Sequence, residues 1–190
     1  MRIRPLVLAG VALALVGPAA GCAEERKPAP AAAVLPAPAP TDWPAAIAGG
    51  SCRLLDYEII DAAIGVRFDV AANQRDGKTE TCVVQAGQQS RPDLSLTVSP
   101  TTVDAEIFKD EITPDGSTAV TGLGLAAYRL VKAPTKKVGA AVEVGWLSKS
   151  KRLMTLRFTA AGGTEKSASA LAPKLIALAK KIDKAKPTAV

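Results

Sequence analysis

The sequence predicts an α+β domain (α/β in the broad sense): a largely antiparallel sheet of about six strands with helices packed on it, in the order αβββαβββα. Three observations carry that prediction. Six short runs alternate apolar and polar residues or are β-branched throughout, as in "LSLTV" (94–98), which is the period of a half-buried strand. Helix start and stop signals frame residues 56–65. A long apolar stripe marks the C-terminal segment, and a sheet with helices on it is the simplest way to bury all these faces.

Taken in order, "CRLLDYEIIDAAIG" (52–65) supplies the first helix. Asp56 is placed to accept backbone N–H bonds as N-cap, and Leu55 and Ile60 hold the two positions of a hydrophobic staple. Ile59, Ile60, Ala63 and Ile64 make one apolar face, and Gly65 suits the position just past the helix end. Val66, Phe68 and Val70 then alternate with Arg67 and Asp69 as a first strand. "ETCVVQA" (80–86) gives the second strand, and Leu94, Leu96 and Val98 give the third. Asp76-Gly77, inside "NQRDGKT", predicts the hairpin turn between the first two.

A second helix is expected from about Thr102 to Glu111, with Asp104 and Glu106 favourably placed in its first turn. After the turn "TPDGS", strands are expected near 125–132, 140–147 and 152–159. In the last of these Met154, Leu156 and Phe158 alternate with Thr155 and Arg157. The closing helix puts Ala168, Leu171, Leu175, Leu178, Ala179 and Ile182 on one stripe. Pro173 either kinks that helix or begins it as the first helical residue.

Ahead of the domain the composition changes twice. Residues 1–21 carry Arg2 and Arg4, then an apolar run of eleven, "LVLAGVALALV" (6–16), then small residues. Eleven residues reach only about 16 Å as a helix, half of a ~30 Å hydrocarbon core, so the stretch reads as a signal peptide. Ala19, Ala20 and Gly21 directly before Cys22 resemble the lipobox of bacterial lipoproteins, although Ala19 stands where that motif usually has leucine. The resemblance implies that Cys22 receives a diacylglyceryl group and becomes the first residue of the mature chain. Ordinary signal-peptidase cleavage after Gly21 or Ala23 is the alternative.

Lipidation also resolves an odd cysteine count. With Cys22 acylated, Cys52 and Cys82 can form a disulfide outside the reducing cytosol. Closing a loop of about 31 residues stabilises a fold by roughly 3–4 kcal/mol in the chain-entropy model. Neither cysteine lies in a Cys-x-x-Cys pair, which favours a structural bridge over a redox one. Between anchor and domain, residues 22–49 hold six prolines and no periodic apolar pattern, and read as an extended Pro/Ala-rich tether. The domain itself is expected over 50–185, with a short tail at 186–190.

A lipobox, a proline-rich tether and Cys-x-Leu-Leu ahead of a short helix ending in Gly together resemble the actinobacterial lipoproteins of the domain of unknown function 3558 family. The stretches that carry the resemblance are "CRLLDYEIIDAAIG", "TETCVVQ" and "TGLGLAAYRL". Two departures stand out: Val83 and Val84 follow the second cysteine where an aromatic is common, and Leu125 replaces an acidic residue after Gly-Leu-Gly. The family has no assigned activity, so the resemblance implies architecture and location rather than mechanism.

Candidate sites are few. The chain has no histidine, which removes the commonest general base and the commonest metal ligand. "SKSKR" (148–152) could suggest a serine–lysine nucleophile, but its place between two strands predicts a plain turn. Asp104, Glu106, Asp110 and Glu111 straddle more than one face of a short helix and lack a calcium loop's glycine, so a solvated face is expected. Asp56, Glu58 and Asp61 read the same way, with Asp56 engaged in capping. Gly-Leu-Gly (122–124) is too short for a phosphate loop and is expected to give a tight turn or a close backbone approach. No catalytic, cofactor or metal constellation appears.

Charge is unevenly spread. Residues 50–113 hold 6 basic and 11 acidic side chains, net −5, whereas 114–190 hold 14 and 4, net +10. If the sheet interleaves the two halves, they neutralise each other and leave scattered solvated lysines. The alternative is a basic face for anionic lipid headgroups, envelope polymers or an acidic partner. Nucleic acid is not expected for an exported chain with so few aromatics. The expectation from all this is a lipid-anchored, extracytoplasmic, monomeric binding or scaffolding module without catalytic activity, needing no cofactor. Its partners would be the membrane, through the anchor, and an envelope protein, lipid or polymer met in a cleft between sheet and helix. The alternatives are a sensor or inhibitor domain acting on an envelope enzyme or receptor, or a carrier of an apolar ligand, which would show an enclosed cavity.

Overall fold

In the computed structural model two antiparallel meanders lie side by side and share one open sheet. The structure describes residues 44–87, 89–135, 138–162 and 168–185. The expected leader, Cys22, the expected tether up to residue 43 and the tail 186–190 lie outside the described residues. The first meander is β1 (Val70–Asp76), β2 (Thr79–Gln85) and β3 (Asp93–Pro100). The second is β4 (Thr118–Ala119), β5 (Ala126–Lys132), β6 (Ala141–Leu147) and β7 (Arg152–Thr159). The order is β1-β2-β3-β7-β6-β5-β4, and the seam pairs β3 with β7 from Asp93↔Thr159 to Pro100↔Arg152.

Period-two alternation sets the two faces of that sheet. In register across four strands, Cys82, Leu96, Leu156 and Val144 share one face, as do Val84, Leu94, Phe158 and Val142. All eight are buried, under α1 (Tyr57–Ile64) and α3 (Ala168–Lys184). Ile60, Ile64, Leu175, Leu178 and Ile182 press onto them, each contributing about 1.5–3 kcal/mol by leaving water. The opposite face is polar over most of its width. Thr81 faces Thr97 with hydroxyls 3.1 Å apart, and Thr79 donates to Ser99 at 3.1 Å. A single turn, α2 (Ala105–Ile107), widens into a π-turn over Phe108–Ile112 and covers one corner of it. There Phe108 packs on Ala126, Tyr128 and Leu147.

Several expected elements stand where the residue pattern put them. The Asp56 carboxylate accepts from the Glu58 and Ile59 N–H groups at 2.9 and 3.1 Å, Leu55 and Ile60 are both buried, and Gly65 closes α1 in the left-handed region at φ 70°. Asp104, expected inside the first turn of the second helix, instead caps α2, accepting from Glu106 and Ile107.

Others differ. The sheet has seven strands rather than six, because Thr118–Ala119 pairs briefly with β5. Residues 66–69 are not a strand: the partner β2 ends at Gln85, opposite Val70, so the chain before Val70 overhangs the sheet and drops Phe68 into the core. The hairpin loop is Gly77-Lys78, with Asp76 still paired to Thr79. Ile59 is 43% exposed, since an eight-residue helix buries only the i, i+4 pair Ile60 and Ile64. The second helix starts at Ala105 and turns wide, which lets Phe108 and the half-buried Ile112 both reach the sheet. The last helix runs through Pro173 rather than starting there, and Ala172 joins its buried stripe. Packing also begins ahead of the Gly49-Gly50 junction, with Ala45 and Ala46 buried in a 3-10 turn.

Candidate functional site

The Gly-Leu-Gly stretch connects β4 to β5, and its residues explain its shape. Leu123 is buried in the main core, while Leu125 is 46% exposed two residues later. Between them Gly124 sits at φ +58° against the Leu147 carbonyl, where an added Cβ would overlap that oxygen, so glycine is required twice over. The Leu125 N–H donates to the same carbonyl at 2.7 Å. A Cβ at Gly122 would lie 3.4 Å from Lys180 Nζ, which places the last turns of α3 beside the loop.

Below the loop is a pocket of about 540 Å³ that opens to solvent. Val120, Leu123, Leu125 and Ala127 line one side, and Lys109 and Thr113 of the π-turn line the other. A second open pocket, of about 570 Å³, lies at the start of the described chain between Pro44 and Phe68, rimmed by Asp56, Glu58, Asp61 and Arg67. The inner face beneath α1 and α3, by contrast, is lined by buried core side chains.

The polar face carries a line of charged groups. Tyr128 donates its hydroxyl to Glu143 at 2.9 Å, and Glu143 lies 4.0 Å from Arg157. Burial pushes the Tyr128 phenol well above its usual value, and the Glu143 charge pushes it further. At the far end Asp93, only 8% exposed, has Arg91 Nη1 at 2.9 Å from Oδ1, but the N–H is not aimed at that oxygen, so the contact is an ion pair without a hydrogen bond. Burial raises the Asp93 carboxyl above its usual value, against the opposing pull of Arg91, the Thr159 hydroxyl and Arg157.

That shift has a definite sign. A carboxyl whose folded-state pKa is raised contributes stability fully below the unfolded value of about 3.9, and loses it as pH rises through the folded value. Asp93→Asn keeps an acceptor for Thr159 and removes the charge. It is expected to raise Tm at pH 7 by up to about 3 °C, with the gain vanishing below about pH 4. Paired thermal melts at the two pH values check this; a lower Tm at pH 7 would show that the Arg91 pair outweighs desolvation.

The other sequence candidates fall as follows. Ser148 is buried in the β6–β7 turn, where its hydroxyl meets Ser150 at 3.0 Å and accepts from the Arg152 N–H at 3.2 Å, so it braces its own turn. Lys151 reaches away to the Val103 carbonyl. Asp104, Glu106, Asp110 and Glu111 are all exposed, and among the described residues no three metal-ligating side chains converge. Cys52 and Cys82 are bonded, with Cα atoms 5.0 Å apart and both side chains fully buried.

The strands of the two charge halves do not interleave: the −5 half supplies β1–β3 and the +10 half β4–β7, pairing at the β3–β7 seam. Off the sheet the halves also meet where α1 packs on α3 and where the π-turn, with Asp104, Glu106, Asp110 and Glu111 in or beside it, packs on β5. Sequence reading missed the Tyr128–Glu143–Arg157–Asp93 line, although the signal was present: Glu143 and Arg157 are charged residues at outward positions of otherwise apolar strands. Comparisons with protein-family models, curated proteins and solved structures find no match for the chain.

Proposed function

We propose that this chain is a lipoprotein of the domain of unknown function 3558 kind, anchored through Cys22 on the extracytoplasmic side of a membrane and serving as a non-catalytic binding module. The observation that carries the reading is the buried Cys52–Cys82 bridge. Persistent structural disulfides belong to oxidising compartments, and this one leaves Cys22 as the single cysteine available for acylation. Among the described residues no helix is long and apolar enough to cross a membrane, so an acyl group on Cys22 would supply the hold that the described helices do not. The binding surface is the open pocket at the Gly-Leu-Gly loop, whose aliphatic walls suit an apolar partner surface.

Intact-mass measurement of the protein extracted from membranes tests this. The expected species begins at Cys22, carries a diacylglyceryl group, and resists thiol alkylation until reduced. A full-length, unacylated chain with all three thiols reactive would refute it.

A further inference from the structure

We infer that the Gly-Leu-Gly end of the domain is a docking surface for an anionic lipid bilayer. The inference rests on the reading above that the chain is held at a membrane. It begins with the sheet order: the strands of residues 114–190, a segment of net charge +10, pair with strands of the acidic half only at the β3–β7 seam.

Three segments of that half converge at one end. Leu125 is bonded to the Leu147 carbonyl, the Ser148–Lys151 turn follows directly on Leu147, and Lys180 stands beside Gly122. The last turns of α3 bring Lys180, Lys181 and Lys184 to this end, and the turn brings Lys149. Among the described residues none of these four ammonium groups is in an ion pair. The one acid of α3, Asp183, is turned inward, where its carboxylate accepts from the Trp146 indole N–H at 2.9 Å. The solvent side of this helix end is therefore purely cationic. The exposed acids Asp104, Glu106, Asp110 and Glu111 belong to α2 and the π-turn, which pack on the opposite face of the sheet from α3, and the Asp104 carboxylate is engaged in capping; the π-turn reaches the same pocket through Lys109.

At the same end Leu125 stands 46% exposed over a mainly aliphatic pocket that Lys109 also lines. An isolated lysine patch would suit any polyanion. A protruding aliphatic side chain at the same end as a group of lysines fits the boundary between phosphate headgroups and acyl chains, where each group finds its own environment. Lysine at the end of α3 also complements the helix dipole, but that accounts neither for the exposed leucine nor for the inward-turned acid.

The test uses residues 22–190 with Cys22→Ser, which cannot be acylated, and vesicles of phosphatidylcholine with or without about a third of phosphatidylglycerol. The chain is expected to sediment with the anionic vesicles only, and to release as salt rises towards 1 M, where screening shortens to about 3 Å. Replacing Lys180, Lys181 and Lys184 by Gln together should weaken partitioning about 100-fold, at roughly fivefold per lysine. Leu125→Ser should weaken it about tenfold, while Lys78→Gln in the β1–β2 turn changes nothing. Equal sedimentation with both vesicle types would overturn the inference, as would indifference to the triple lysine change in a chain whose melt is unaltered. The outcomes are separable from acylation. An acylated chain whose Cys22→Ser form ignores anionic vesicles sinks this inference alone; a chain never acylated in cells sinks the anchor alone.

Discussion

Replacing both Cys52 and Cys82 by alanine is expected to lower stability by about 3–4 kcal/mol and Tm by roughly 10–15 °C. The bridge closes a separation of 30 residues, and most of its effect comes from the unfolded chain, whose freedom it restricts. Locally it ties the 3-10 turn Gly50–Leu54 to β2. That turn otherwise holds on by contacts that are individually modest: Ser51 donates to Asn73 at 3.3 Å and to the Leu96 carbonyl at 3.4 Å, and Leu54 and Leu55 are buried. Without the bridge the segment from Ala45 to Leu54 should open before the sheet does. Hydrogen exchange should then show the Cys52 and Leu55 amides, which donate to Gly49 and Cys52 carbonyls, losing protection while β3 and β7 keep theirs. Alanine is the informative substitution, because serine would bury two hydroxyls and add a desolvation penalty of its own. A Tm loss under about 3 °C would mean that the loop is already restricted in the unfolded chain, and that the bridge is not what fixes the N-terminal turn.

What could be read from the sequence follows what each element buries. Strands β2, β3, β6 and β7 have one face against the helices, so apolar residues recur at every second position. The cap of α1 is local chemistry and was legible for that reason, whereas Asp104 was read as a first-turn residue and is the N-cap of a later, shorter helix. β1 was not legible, because an edge strand reading "VAANQRD" exposes most of its side chains and has no apolar period to detect. β4 is two exposed residues held only by pairing. Sheet order lies further out of reach: nothing in "LSLTV" or "MTLRFT" says that these two strands are neighbours. Where the two charge halves meet was out of reach for the same reason, since it depends on an order the residues do not encode. At the candidate site the glycines were visible by type, but the reason for Gly124 is a carbonyl 23 positions away, and Lys180 meets Gly122 only through the packing of α3.

Trp146→Ala is expected to destabilise the fold by about 3–5 kcal/mol, as large as any single core truncation here. Trp146 is fully buried among the inner-face residues, in register with Met154 on β7 and Ala127 on β5, and Gly124 packs against its ring edge. Its removal opens a cavity that small neighbours such as Ala127 and Gly124 cannot fill. It also releases Asp183 from the only side-chain bond that joins β6 to α3 among the described residues. Trp146→Phe keeps a six-membered ring in the core and removes the N–H with the smaller ring, so most of the cavity term is spared and the loss should fall to about 1–2 kcal/mol. The comparison carries a second readout at the basic end. With Asp183 no longer held inward, its carboxylate can turn to Lys180 and Lys184, and the positive potential on the solvent side falls although the net charge is unchanged. Anionic vesicle binding by the folded Trp146→Phe chain should then weaken, by at most about fivefold. If Trp146→Phe melts lower yet binds those vesicles unchanged, the indole only packs, and the cationic face of α3 does not depend on where Asp183 points.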